Sequence, residues 1–204
     1  MTKKTKPSPR VTELLLQALT HERGGVVVYR TALDCAIHPD LRAEWQHFFE
    51  ETQSHVQILT TVCEAMGIDP HTVTPGCKVV QQVGVALVVA MQMALAAGDR
   101  DAAQLVACEC VVLAETKDHA SWELLGEVAK SLHGEAARVL GDAVKVVEDQ
   151  EDEHLYHTKG WCRELWLDAL GLESVLPPPE EKRDVRSAFQ QAKVEQARKK
   201  HEKL

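Results

Sequence analysis

The sequence predicts an all-α protein built as an antiparallel bundle of four long helices. Three observations carry this. Apolar residues recur at heptad-like spacing over four separate stretches, and no stretch alternates apolar and polar residues for long enough to make a sheet. Gly and Pro gather at the breaks: His38-Pro39, Gly67-Ile-Asp-Pro70, Pro75-Gly76, Gly98, Gly134, Gly171 and Pro177–Pro179. The 204 residues suffice for one compact core, and with aromatic residues at only 4% the packing falls to Leu, Val and Ala.

The first helix reads Leu15, Ala18, Glu22, Gly25, Tyr29, Ala32, Ala36 along its seam, and the second reads Trp45, Phe48, Thr52, His55, Leu59, Val62, Met66. The third reads Leu105, Cys108, Val112, Glu115, His119, Trp122. The fourth reads Leu140, Val144, Val147, Glu151, His154, Thr158, Trp161, Leu165. The seams therefore carry Glu22, His55, Glu115, His119, Glu151 and His154 among apolar neighbours, with Glu51 one step (i, i+4) before His55. An ionised group on a buried seam costs several kcal/mol unless it is hydrogen-bonded, ion-paired or bound to a metal.

The turns set the depths of these groups. Pro39 disfavours helix at His38 and Asp40 is a capping residue, so a hairpin turns near residue 39. Glu22 then stands as far before that turn as His55 stands after it. A second break at His133-Gly134 brings Glu115 level with residues 151 and 152. Each hairpin sets a single Glu opposite a Glu/His pair. Singly, each residue has a plainer reading: Glu22 as a surface carboxylate, His55 as a hydrogen-bonded core histidine, Glu115 as a partner of Lys117 or His119. Together they predict a metal centre of Glu22, Glu51, His55, Glu115, Glu151 and His154. Glu148 rivals Glu151 from one turn away. Asp118, His119, Asp152 and His157 are candidates to orient the ligands. Tyr29, two turns from Glu22, reads as an aromatic spacer in preference to an electron-transfer group.

Glu151-Asp-Glu-His154, with Trp161 downstream, resembles the ferritin-like di-metal carboxylate superfamily, whose arrangement is a Glu from each of two helices and a Glu-x-x-His from each of the other two. Phe49-Glu-Glu51-Thr52-Gln-Ser-His55-Val56 looks like a Glu-Glu-Thr-x-x-(Gln/His)-Val stretch of bacterial stress-linked ferritin-like proteins. Ala114-Glu115-Thr-Lys-Asp118 is similar to their Val-Glu-x-x-Glu stretch. The likeness covers residues 11–170 and departs at helix two, where Glu51 and His55 are four residues apart instead of three. It implies a ferritin-like bundle with a long helical crossover between helices two and three, holding two iron or manganese ions that handle dioxygen, peroxide or ferrous iron in stress or iron metabolism. A stress-linked structural or interaction protein and an iron-storage cage subunit are the other expectations.

Val79–Ala97 is the most apolar run and occupies the crossover position. Gln81, Gln82 and Gln92 interrupt it, Lys78 and Asp99 bound it, and it falls short of the roughly 20 apolar residues of a membrane span. It is expected to be a buried helix with no membrane span. The 23 Lys/Arg include four in residues 1–10 and eight in 182–204, whereas only three of the 31 Asp/Glu lie in those tails. The remainder carries 11 against 28, a formal charge of −17, which favours cation entry and opposes nucleic-acid binding by the bundle. Residues 1–10 read as a disordered basic arm, and 171–204 as a Pro-containing linker with a basic C-terminal helix or tail. Six cysteines without Cys-x-x-Cys spacing suggest reduced thiols in the cytoplasm, and a homodimer through an exposed bundle face would be ordinary. No Gly-rich phosphate loop and no Ser/His/Asp signature is present.

Overall fold

A computed structural model of the chain describes residues 7–182. It is all-α, with six helices and no strand among the described residues. These are α1 (Pro9–Cys35), α2 (Pro39–Ala65), α3 (Pro75–Ala96), α4 (Arg100–Ser131), α5 (Gly134–Ala169) and the short α6 (Pro179–Lys182).

The ends follow from capping chemistry. The Ser8 hydroxyl accepts from Val11 N ahead of Pro9, so α1 begins inside the span expected to be a disordered arm; residues 1–6 lie outside the described residues. α2 starts at Pro39 with His38 in the cap position, so Asp40 sits in the first turn against the helix dipole and is not the cap. The α1–α2 turn is held from α4, where Gln104 Oε1 accepts from both Ile37 N (2.8 Å) and His38 N (2.7 Å). At the far end of α2, Gly67 takes φ +73° and Ile68 N reaches back to Cys63 O at 2.8 Å, a helix stop that needs a residue without Cβ.

α1 packs against α2 and α4, and α5 packs against α4 and α2. The short α1–α2 and α4–α5 connections make each of those pairs antiparallel. The interior contains two apolar clusters. One holds Tyr29, Trp45, Phe48, Val111, Trp161 and Leu165; the other holds Leu15, Leu19, Leu59, Trp122, Leu125 and Val147. The polar seam residues fall between them.

α3 connects α2 to α4 and lies along α1 and α4. The expectation of a buried helix is corrected: only Cys77 and Met91 are buried, while Val79 is 65% and Met93 68% exposed. The helix is uncharged beyond Lys78, and it is long and apolar enough to span a membrane by length and composition alone. With one face on its neighbours, its remaining apolar surface has nothing to pack against within the described residues.

After α5 the chain folds back. Arg163 makes a bidentate pair with Glu180 (2.7 and 2.9 Å) and also donates to Glu164 Oε1, while Val175 N donates to Glu164 Oε2 at 2.8 Å. Glu164 and Glu180 are fully buried, so one guanidinium answers two carboxylates. Gly160 admits the strap, because a Cβ there would stand 2.7 Å from Glu180 Oε2. The C-terminal segment thus carries, at 179–182, a short acidic helix docked on α5; residues 183–204, including most of the expected basic tail, lie outside the described residues. Arg163→Met is expected to cost about 3 kcal/mol in denaturant unfolding by leaving two buried carboxylates without a cation. A loss within error would mean that the strap contributes nothing to stability.

Candidate metal centre

The polar layer is built from the helical period itself. Glu22 of α1, His55 of α2, Glu115 of α4, and Glu151 and His154 of α5 face one another; Asp118 of α4 lies beside them, outside both ligand sets and 3.9 Å from His21, and all six are buried. Two sets of three offer ligand atoms within 4.8 Å of one another: Glu22, His55 and Glu151, and Glu115, Glu151 and His154. Glu151 belongs to both. His55 Nδ1 stands 3.0 Å from Glu151 Oε1 and 3.6 Å from Glu22 Oε1. His154 Nδ1 stands 3.6 Å from Glu115 Oε2 and 3.7 Å from Glu151 Oε1. Both imidazoles thus turn Nδ1 inward onto the shared carboxylate.

The outer nitrogens are held from the α2–α5 interface. His154 Nε2 lies 2.8 Å from Glu51 Oε2, and His55 Nε2 lies 3.0 Å from Gln150 Oε1. The Gln150 amide in turn donates to Glu51 Oε1, joining the two imidazoles through one clamp. Glu51 Oε2 and Gln150 Oε1 accept only, which assigns the proton to Nε2 in each neutral ring and leaves the Nδ1 lone pairs facing inward. Glu22 is steadied by Trp122 Nε1, which donates to its Oε1 at 2.8 Å.

Six atoms of these residues have no hydrogen bond of normal geometry: Glu22 Oε2, His55 Nδ1, Glu115 Oε2, Asp118 Oδ1, Glu151 Oε2 and His154 Nδ1, the two Nδ1 atoms standing at ion-pair distance from the carboxylates. Unpaired buried polar atoms are rare because each carries its full desolvation cost. Carboxylate oxygens and imidazole nitrogens form a donor set suited to divalent iron or manganese, so the residues present fit such ions.

The titrations fit the same picture. Burial, then Glu115 and Glu22, push the Glu151 carboxyl well above the usual range. Burial opposes charge on His55, yet the Glu22 carboxylate, with Gln150, overrides it and holds the imidazolium up to about 9. Burial likewise opposes charge on His154, and Glu115 and Glu51 hold it up to about 10. Without a cation, the site is neutralised by protons. The imidazolium contribution to stability is full below the ordinary histidine value near 6.5 and is lost as pH rises through about 9 to 10. The raised carboxyl of Glu151 acts in the same direction. A divalent ion requires the deprotonated ligands, so its stabilisation grows with pH. The metal-free chain is therefore expected to melt lower at pH 9 than at pH 6.5, and the increment from added Mn²⁺ to be larger at pH 9. A metal-free protein that gains stability across this window contradicts the account.

The remaining candidates stand elsewhere. Glu51 reaches the outer side of His154 and belongs to neither set of three; burial raises its pKa, but the His154 hydrogen bond prevails and holds it below the usual range. Glu148 is exposed. His119 pairs with Asp152 on the half-buried outer side of α4 and α5. His157 Nδ1 pairs with Glu44 Oε1 at 2.7 Å. Tyr29 is buried with its ring edge-on to His154 at 6.1 Å, and its hydroxyl lies beside Glu115 without a hydrogen bond of normal geometry. Burial, then Glu115, push its pKa well up. Gln150 and Trp122 Nε1 escaped the sequence reading as polar partners. The signal for Gln150 was its place beside the seam residue Glu151, mirroring Glu51 beside Thr52.

Compared with protein-family models, with curated proteins and with solved structures, the chain finds no match.

Proposed function

We propose that this chain is a ferritin-like di-metal carboxylate protein, holding two iron or manganese ions and handling dioxygen, peroxide or ferrous iron. The observation that carries the reading is the pair of three-residue sets sharing Glu151, lined by unpartnered ligand atoms. In this reading α1, α2, α4 and α5 are the bundle and α3 is its crossover, in keeping with its place along α1 and α4. Glu22, His55 and Glu151 would hold one ion, and Glu115, Glu151 and His154 the other. When bound, such ions would supply electrons and a Lewis-acid centre for an oxygen species. The chain's own residues bind and orient: Trp122 fixes Glu22, the Glu51–Gln150 clamp fixes both imidazoles, and Phe48, with its ring 4.2 Å from that of His154, limits water. Six free thiols support a cytoplasmic location.

The test is purification from cells grown with ample iron and manganese, metal analysis, then ferrous-oxidation and peroxide-consumption assays. Two ions per chain with turnover in either assay is the expected result. Two ions without turnover would leave a structural metal site, and no bound metal would sink the reading.

A second copy of the chain is the partner we infer for α3. Its exposed face carries no charge between Lys78 and Asp99, so two copies paired through α3 bury apolar surface without setting like charges against each other at the contact, whereas the formal charge of −17 on the rest of the chain, tails excluded, opposes an anionic membrane surface. Sedimentation is expected to show a dimer that Val83→Glu converts to monomer. A monomeric wild-type chain, or one that floats with lipid vesicles, contradicts this.

A further inference from the structure

We propose that Asp118 is a metal ligand, supplying the carboxylate that α2 lacks and completing a set of four carboxylates and two imidazoles with Glu22, Glu115, Glu151, His55 and His154. The inference rests on the di-metal reading of the site. α5 places Glu151 three residues before His154, but three residues before His55 α2 carries Thr52. Thr52 Oγ1 donates to Phe48 O at 2.8 Å, so it is spent on its own helix. α1 comes so near at this level that a Cβ on Gly25 would lie 3.2 Å from Thr52 Cγ2, which leaves little room for a longer side chain. Glu51, the nearest carboxylate on α2, is turned to the outer nitrogen of His154 and to His47 at 3.4 Å.

Charge makes the shortfall concrete. Glu22, Glu115 and Glu151 carry three negative charges against four positive ones on two divalent ions, the Glu51 carboxylate being held beyond His154 and outside both sets of three, and an incompletely compensated buried charge is costly. A fourth carboxylate restores neutrality. Asp118 is placed to provide it: it lies three residues after Glu115 on the same face of α4, is 4% exposed, and its Oδ1 has no partner. Its Oδ2 lies 3.9 Å from His21 Nε2, and that nitrogen is already 3.1 Å from Ala114 O. A buried carboxylate with one oxygen unpartnered and the other only 3.9 Å from a histidine that is already engaged has capacity left for a cation.

The test is anaerobic titration of the full-length protein with Fe²⁺ and with Mn²⁺, for the wild type, Asp118→Asn and Glu51→Gln, alongside melting of the metal-free proteins. Asp118→Asn is expected to fall from two ions per chain to one at saturating metal, and to melt higher than wild type when metal-free because a buried acid is gone. Glu51→Gln is expected to keep both ions while losing ~10–100-fold in affinity, the usual effect of removing a group that orients a ligand. Should Asp118→Asn misfold, Asp118→Ser provides the same comparison. Asp118→Asn with two ions at unchanged affinity, or Glu51→Gln with one ion, overturns this inference and leaves the di-metal reading standing. A wild-type protein that binds no metal overturns both.

Discussion

Glu151→Gln is expected to abolish binding of both ions at once, whereas Glu22→Gln and Glu115→Gln each weaken one. The difference follows from connectivity, since Glu151 is the only residue common to both three-residue sets. Gln keeps the volume and removes the charge, so the apolar clusters on either side stay filled. Metal-free Glu151→Gln is expected to melt higher than the wild type at neutral pH, because the carboxyl it replaces is crowded by Glu115 and Glu22. The stabilisation on adding metal, about 2.7 kcal/mol per ion at ~100 times the dissociation constant, is expected to vanish. Calorimetry with and without Mn²⁺ reads both effects. A variant that keeps the full metal increment excludes Glu151 as the shared ligand.

Phe48→Ala is expected to give the largest loss of stability, about 3–5 kcal/mol in denaturant unfolding. Phe48 is 1% exposed and packs its ring 4.2 Å from His154, with Tyr29 at 6.3 Å and His157 at 6.4 Å. It separates the His154 ring from the Glu44–His157 pair one turn further along α5. Truncation removes apolar burial and opens a void lined by two imidazoles, polar enough to admit water. A loss below ~1 kcal/mol would mean that the neighbours collapse into the space and that Phe48 does not seal the layer.

Much of the architecture is legible in the sequence because a buried helix face repeats every three to four residues. Glu22, His55, Glu115, Glu151 and His154 occupy seam positions, and the structure brings those five together. Seam position is a poor guide one step to either side. Glu51 and Gln150 flank the seams of α2 and α5, so they meet across the helix–helix interface and reach the outer nitrogens instead of the centre. Asp118 is off the heptad stripe of α4 yet fully enclosed, because α1 closes over that side and brings His21 to it. A seam count compares one helix with itself and does not register what a neighbour covers. The same blindness hides the exposure of α3: its composition announces burial, but only two of its residues find it. Nor does composition reveal that Glu180 folds back onto Arg163 across a Pro-rich strap.

The central claim is two ions sharing Glu151, and anomalous diffraction from crystals grown with Mn²⁺ tests it most directly. The account predicts two peaks on either side of the Glu151 carboxylate, one against Glu22 and His55 and the other against Glu115 and His154. Crystals whose manganese peaks lie only at surface carboxylates, with none in the layer between the two apolar clusters, would contradict it.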